Sequence, residues 1–324
     1  MTMKTHSEHA NLQDQDFFIK YQQTWESKSS VRSRPRRVVD FTQKGSFFPL
    51  SKQPLFIHDY VQNFPYDTKE LLLLYSFLKY LNDIVNIEVK LVNSACFKII
   101  YDNLVINYPD RLKLNAYTVI TDEWYHVYNA KDIILQIESK FENLHKISIT
   151  NSDAERAVYT IKQGLDTQYH DIFEIIAVCI FETTLVKELS EFLNNDDIHP
   201  SVRYYVTDHM NDEAKHHGFF LRVLNHTWEG LPKDYRCNIG KKIAEFIKLY
   251  LGIDSSKAYS IEVLNHILND TQAALDIVNS IYDGFSITPE LPIVKNILNV
   301  LRATGILKDE FVIDGFRQIR WAVE

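Results

Sequence analysis

From about Asp67 to Asn103 apolar residues return every three or four positions, led by the run Leu71–Leu74, and this spacing predicts a long amphipathic helix. Asp67-Thr68-Lys69-Glu70 has the spacing of a capping box and marks its start. Asn107-Tyr108-Pro109-Asp110 reads as a turn, and a second long helix is expected from about Arg111 to Phe141. Ser152-Asp153-Ala154-Glu155 is another capping box and opens a shorter helix ending near Gly164. The next helix is expected from about Asp166 to Leu193, closed by Asn194-Asn195-Asp196-Asp197. Pro200 sits where a first-turn proline belongs, at the head of a helix reaching about Trp228. Further helices are expected at about 238–251, 257–283 and 290–304, while Val312–Val323 suits a short strand or an irregular cover.

Ahead of this series the pattern is weaker. Residues 1–30 are polar and read as a loose arm, and residues 31–65, broken by Pro35, Pro49, Pro54 and Pro65, read as an extended wrapping segment. No linker divides residues 66–324. The expectation is an all-α chain, with an arm over 1–65 wrapping one helical domain over 66–324 that includes a C-terminal helical cap.

Composition narrows the chemistry. Only 9 Gly and 9 Pro in 324 residues suit long helices better than a sandwich or barrel. A net charge of −8 argues against a nucleic-acid partner. No 18-residue apolar run spans a membrane, and the polar N-terminus resembles no secretory signal. Cys96, Cys179 and Cys237 are too far apart in sequence for a disulfide framework or zinc knuckle, which fits a cytoplasmic setting. No glycine-rich loop for a nucleotide or dinucleotide is present.

Two copies of Asp-Glu-x-x-His stand out: Asp122-Glu123-Trp124-Tyr125-His126 and Asp212-Glu213-Ala214-Lys215-His216. Residues three apart share a helix face, so each Glu and His can grip one metal together. Random placement gives about 0.7 Glu-x-x-His in such a chain, and three occur; Glu142–His145 is the one read as accidental. Requiring the preceding Asp lowers the chance expectation to roughly 0.05, against two copies found. Upstream, Glu88 precedes Glu123 and Glu182 precedes Glu213 by the length of an antiparallel helix pair, so the carboxylates come level. His209 precedes Glu213 by four and His216 by seven, on one face of the same helix. The expected ligand set is therefore Glu88, Glu123, His126, Glu182, His209, Glu213 and His216. Four carboxylates and three imidazoles suit two iron or manganese ions. Asp122 and Asp212 are expected behind the ligands, each accepting from a ligand His of the opposite helix pair. The apolar run before Glu182 implies a buried carboxylate that needs a cation. His217 points away from His216, and His170, His226 and His266 read as non-ligands. Tyr125, Tyr169 and Trp124 read as core residues. Ala130 occupies the place of the radical tyrosine of ribonucleotide reductase small subunits, which removes support for that reading.

In its repeated Glu…Asp-Glu-x-x-His with an additional His on the last metal helix, the sequence resembles the AurF-like diiron N-oxygenases, the p-aminobenzoate oxygenase family. The resemblance covers about residues 66–230. It implies a ferritin-like four-helix bundle core with peripheral helices, a diiron centre with O2 as co-substrate, and oxidation of a small-molecule amine through hydroxylamine toward nitroso or nitro products. It also implies a homodimer. With no flavin, nicotinamide or iron–sulfur motif in the chain, electrons come from a separate reductase. A C–H hydroxylase or desaturase on the same scaffold is the alternative; an iron-storage shell and a purely structural helical module are less well matched to this length and ligand set.

Overall fold

The computed structural model describes residues 4–101, 103–148 and 151–323. Its helices are α1 (Lys4–Lys28), α2 (Ser30–Ser33), α3 (Asp59–Gln62), α4 (Tyr66–Ile87), α5 (Asn93–Tyr101), α6 (Asp110–Lys140), α7 (Asp153–Gln163), α8 (His170–Glu182), α9 (Leu185–Leu193), α10 (Pro200–Gly230), α11 (Lys233–Tyr250), α12 (Asp254–Leu268), α13 (Thr271–Tyr282), α14 (Pro292–Ala303) and α15 (Glu310–Gln318). Among the described residues no strand forms; Ser46 and Ile198 make one isolated bridge. The expected all-α class holds.

Four rods make the centre. A π-helical turn, Glu88–Val92, joins α4 to α5 in one rod, which packs against α6. Lys131 reaches Asn82 while His126 reaches Glu88, so these two rods run antiparallel. α8 and α9 form the third rod against α10, where Arg203 meets the Leu193 carbonyl and Glu213 lies beside Glu182, again antiparallel. α7 and α15 flank α11, α12 pairs with α13, and α14 rests on α8. This is the arrangement of a ferritin-like core with peripheral helices.

The apolar pattern changes partner midway along every rod. Leu72–Leu81, Ile133–Ile137, Leu189, Phe192 and Val206 belong to one buried apolar cluster. Leu91–Ile99, Leu112–Val119, Ile172–Phe181 and Phe219–Trp228 belong to the other. Between these two dry ends each rod presents its polar residues at the same level. Glu88, Glu123, His126, Glu182, His209, Glu213 and His216 are all in that belt, each no more than 5% exposed.

Several expected boundaries need correction. The arm is not loose beyond residues 1–3, which lie outside the described residues: α1 is a helix, and Phe18, Tyr21 and Trp25, at helical spacing, are buried against the bundle. The three apolar contacts outweigh a polar composition that by itself predicts no helix. α4 starts at Tyr66 behind Pro65 with no side-chain cap, and Glu70 instead accepts from Ser46. The helix expected over 166–193 breaks at Thr183 and Thr184, whose hydroxyls bond the carbonyls of Cys179 and Phe181 and so end α8 directly after Glu182. The segment 257–283 splits at Asn269, left-handed at φ 51°, with Asp270 capping α13. Most of the C-terminal tail is helix α15, with Val312 and Phe316 buried on one side. The Ser152–Glu155 capping box and Pro200 at the first position of α10 stand as expected. No helix of the described residues is long and apolar enough to cross a membrane.

Candidate metal centre

Each side chain of the belt arrives from a different local device. Glu88 opens the π-helical turn. That wider turn holds one more residue than an α-helical turn, so the sequence shifts its apolar positions by one as the rod passes the belt. Ile84 on one side of Glu88 and Leu91 on the other are buried in the two different clusters. Glu123 and His126 share the inner face of α6, about one turn apart. Glu182 is the last residue of α8. His209, Glu213 and His216 line one face of α10 over two turns.

The ligand atoms fall into two groups, each with all its atoms within 4.8 Å of one another: Glu88, His126, His209 and Glu213 in the first, Glu123, Glu182, Glu213 and His216 in the second. Glu213 belongs to both. In the first group, Glu213 Oε1 is 3.1 Å from His209 Nε2 and 3.6 Å from His126 Nδ1, while Glu88 Oε1 is 3.3 Å and 3.5 Å from the same two nitrogens. In the second, His216 Nδ1 lies 3.0 Å from Glu123 Oε1 and 3.5 Å from Glu213 Oε1. Glu123 Oε2 also reaches His126 Nδ1 at 3.4 Å, placing this carboxylate between the groups. The first group is richer in nitrogen and the second in oxygen, and His209 makes that difference.

The two motif aspartates cross over. His126 Nε2 is 3.1 Å from Asp212 Oδ2, and His216 Nε2 is 3.3 Å from Asp122 Oδ2. An Nε2–H donated to a carboxylate leaves the Nδ1 lone pair of each ring facing the centre, the tautomer a metal requires. What holds the aspartates was not expected from the sequence. Asp122 Oδ1 accepts from Trp25 Nε1 at 2.9 Å and from the Ser29 hydroxyl. Asp212 Oδ1 accepts from the Ser30 backbone N–H at 3.2 Å and from Lys215. The junction of α1 and α2 thus clamps both. Nothing in the N-terminal sequence, read alone, signals this role.

Electrostatics mark the belt as a cation site. Burial, with Glu213 and Glu123 close by, pushes Glu182 well above the usual carboxylate range, and burial beside Glu123 raises Glu88. Burial opposes charge on Glu213 as well, yet His216 and His209 hold it well below that range. Burial likewise opposes protonation of the imidazoles, but Asp212, Glu123 and Glu88 raise His126, Glu213 and Glu123 raise His216, and Glu213 and Glu88 lift His209 to about 9. Several inward atoms make no hydrogen bond: Glu88 Oε2, both Glu123 oxygens, Glu182 Oε2, Glu213 Oε2, and the Nδ1 atoms of His126 and His216. Buried polar atoms without partners are costly, and two cations would satisfy all of them. The residues fit a dimetal centre.

Other candidates fall elsewhere. Glu142 is exposed and His145 stacks on His266 at 4.4 Å, so Glu142–His145 stays apart from the centre. His170 bonds the Leu165 carbonyl and His226 the Asn107 carbonyl. His217 is half-buried on the outer side of α10 beside Thr183 and Thr184. Of the aromatics expected in the core, Tyr169 is buried and Tyr125 is half-buried. Trp124 is 48% exposed, because its place on the α6 wheel lies away from Glu123 and His126, and the core expectation fails for it. Two further tyrosines, Tyr80 and Tyr205, have buried hydroxyls without a hydrogen bond. Burial pushes both phenols up, with Glu88 and Glu213 adding to the effect, so both stay protonated beside the centre.

Residues 25–274, about three quarters of the chain, match the family model described as P-aminobenzoate N-oxygenase AurF. No curated protein matches the chain.

Proposed function

The chain belongs to the AurF family of p-aminobenzoate N-oxygenases, diiron oxidoreductases of ferritin-like helical fold, and from that premise we propose that it oxidises the nitrogen of a small aryl or aliphatic amine, using O2 and electrons from a separate donor. Glu88, His126, His209 and Glu213 hold one iron in this reading. Glu123, Glu182, Glu213 and His216 hold the other, with Glu213 shared. The observation that carries it is the pair of four-residue groups meeting at Glu213 inside a chain of this family.

When bound, two irons supply the redox chemistry that activates O2. The protein's own part is orientation and exclusion. Asp212 and Asp122 fix the His126 and His216 rings. The break after Glu182 leaves that carboxylate at a helix end, free of a continuing turn. Apolar clusters on both sides of the belt keep water from the reacting nitrogen. Protonated Tyr80 and Tyr205 can donate to a polar group near the Glu88 side. Conversion of an amine to a hydroxylamine consumes one O2, two electrons and two protons and releases water. Further rounds lead to nitroso and nitro products.

The test is reconstitution with Fe(II), a chemical reductant and O2 against a panel of arylamines and alkylamines, with products resolved by mass spectrometry. A new N–O bond, lost in Glu213→Ala, supports the proposal. An oxidised carbon with the amine intact would transfer the chain to hydroxylase or desaturase chemistry.

A further inference from the structure

Two buried polar atoms on α4 make no hydrogen bond although neither belongs to the candidate metal ligands: the Tyr80 hydroxyl and Asp83 Oδ1. Three positions apart, the two residues share a face of the helix. Both line one cleft of about 510 Å³, which α12, α13 and the segment ahead of α3 complete, with Phe48, Ile253, Ile281 and Phe285 as apolar walls. That is the size of an ordinary small-molecule site. The cleft adjoins the metal centre. Tyr80 stacks on Phe192 at 5.4 Å, and its phenol feels the charge of Glu88 and Glu213. Asp83 precedes Glu88 by five residues, about 7.5 Å of helical rise. A molecule that places a nitrogen on the Glu88 side of the belt therefore needs only the length of a small ring or short chain to reach Asp83.

The charges of the cleft decide what that far end carries. Asp83 Oδ2 accepts from Lys79, while Oδ1 has no donor. The two lysines of the cleft are already engaged, Lys79 with Asp83 and Lys52 with Glu191 at 3.0 Å. Burial raises the Asp83 carboxyl above its usual range in spite of Lys79, and Asp153 and Glu155 add to the rise. The surroundings are thus short of positive charge, and a buried carboxylate oxygen without a donor is costly. Resting on the N-oxygenase reading above, we propose that this cleft receives the substrate and that the substrate is a diamine: one nitrogen is oxidised at the belt, and a second, cationic nitrogen donates to Asp83 Oδ1. Phe48, Ile253, Ile281 and Phe285 cover the hydrocarbon between the two nitrogens. A carboxylate in place of the second nitrogen would meet the Asp83 charge and lose its own water, so p-aminobenzoate itself is a poor fit.

Calorimetry on the full-length chain loaded with Mn(II), with no reductant so that nothing turns over, tests this. The probes are 4-aminobenzylamine and p-aminobenzoate, two arylamines that differ in the sign of the far group. At pH 7 the expected result is 4-aminobenzylamine bound at least about 10-fold more tightly. In Asp83→Asn that margin disappears, with helical content and metal content unchanged. Lys79→Met, which removes the cation beside Asp83, widens it. Should Asp83→Asn fail to fold, the comparison on the unaltered chain and on Lys79→Met still decides. Equal or tighter binding of p-aminobenzoate, no measurable binding of either arylamine, or a margin that survives in Asp83→Asn overturns the proposal. Its failure is distinct from that of N-oxygenation. An oxidised carbon on a diamine held through Asp83 removes the N-oxygenase reading and leaves the cleft. An N–O product from p-aminobenzoate, bound more tightly than the diamine, does the reverse.

Discussion

Asp212 accepts from Nε2 of His126 across 3.1 Å, although the two residues stand 86 positions apart and belong to different copies of the repeated motif. Asp122 and His216 repeat the relationship at 3.3 Å. Each helix pair therefore orients a histidine of the other. Asp212→Asn offers an amide that can donate to Nε2 and move the imidazole proton to Nδ1, where the metal belongs. Metal affinity is expected to fall about 10–100-fold, read by competition with a chelator, with the helical spectrum unchanged. Unaltered affinity would show that the aspartate does not set the tautomer.

Removing one carboxylate from the oxygen-rich group tests the partition of the centre. Glu182→Ala is expected to bring the bound metal from two ions per chain to one, because the four residues around His209 remain intact. Plasma emission analysis of the purified, reconstituted protein counts them. A variant that still retains two ions removes Glu182 from the ligand set.

Metal uptake should depend on pH in a definite direction. His126 and His216 are held well above the usual imidazole range and His209 at about 9, so the metal-free fold keeps protons on them at neutral pH. A metal must expel those protons, and each one displaced makes the apparent affinity rise about tenfold per pH unit below the pKa it replaces. Affinity for Mn(II) should therefore climb from about pH 6 toward pH 9. Calorimetry in two buffers of different ionisation enthalpy measures the proton release directly, and a pH-independent affinity would contradict it.

Away from the belt, Glu174 is a stability element. It accepts from Lys162 at 2.6 Å, from Ser94 at 2.6 Å and from Lys98, tying α8 to α7 and α5. Burial works to raise its pKa, but the two lysines hold it below the usual carboxylate range. Glu174→Gln removes the charge that pairs with Lys162 and Lys98, leaving them at best a neutral amide oxygen there, and is expected to cost about 1–3 kcal/mol at pH 7, measured by urea unfolding. A depressed folded pKa stabilises above the unfolded value of about 4.3 and ceases to do so as the pH falls through the folded value. The gap between variant and unaltered chain should therefore narrow toward about pH 3.

The parts of this molecule legible in its sequence are those governed by short-range periodicity. Glu123 with His126, and His209 with Glu213 and His216, could be placed on common faces because three and four residues are fixed angles on a helix. The level of Glu88 with Glu123 followed from rod lengths. Features made by distant contacts or local exceptions were not legible. Trp25, Ser29 and Ser30 act on Asp122 and Asp212 through contacts spanning 93 to 182 positions. Thr183 and Thr184 end a helix that its apolar pattern would continue. The sequence reading places Trp124 in the core, but α6 carries two apolar stripes. One is buried against the bundle and the other, with Trp124 in it, faces outward; apolar spacing by itself does not say which stripe is covered.

The Glu88–Val92 turn takes one residue more than an α-helical turn, so the sequence shifts its apolar positions by one there while the rod keeps its course through the belt. Excising a single position there would restore a regular spiral on nearly the same course, because five residues of the wide turn go round about as far as four of an α-helix, and would take one of the residues Glu88–Val92 out of its place at the belt. This stretch of chain should therefore accept changes of spelling far more readily than changes of length, and insertions or deletions should be rarer between Asp83 and Cys96 than in any loop at the surface.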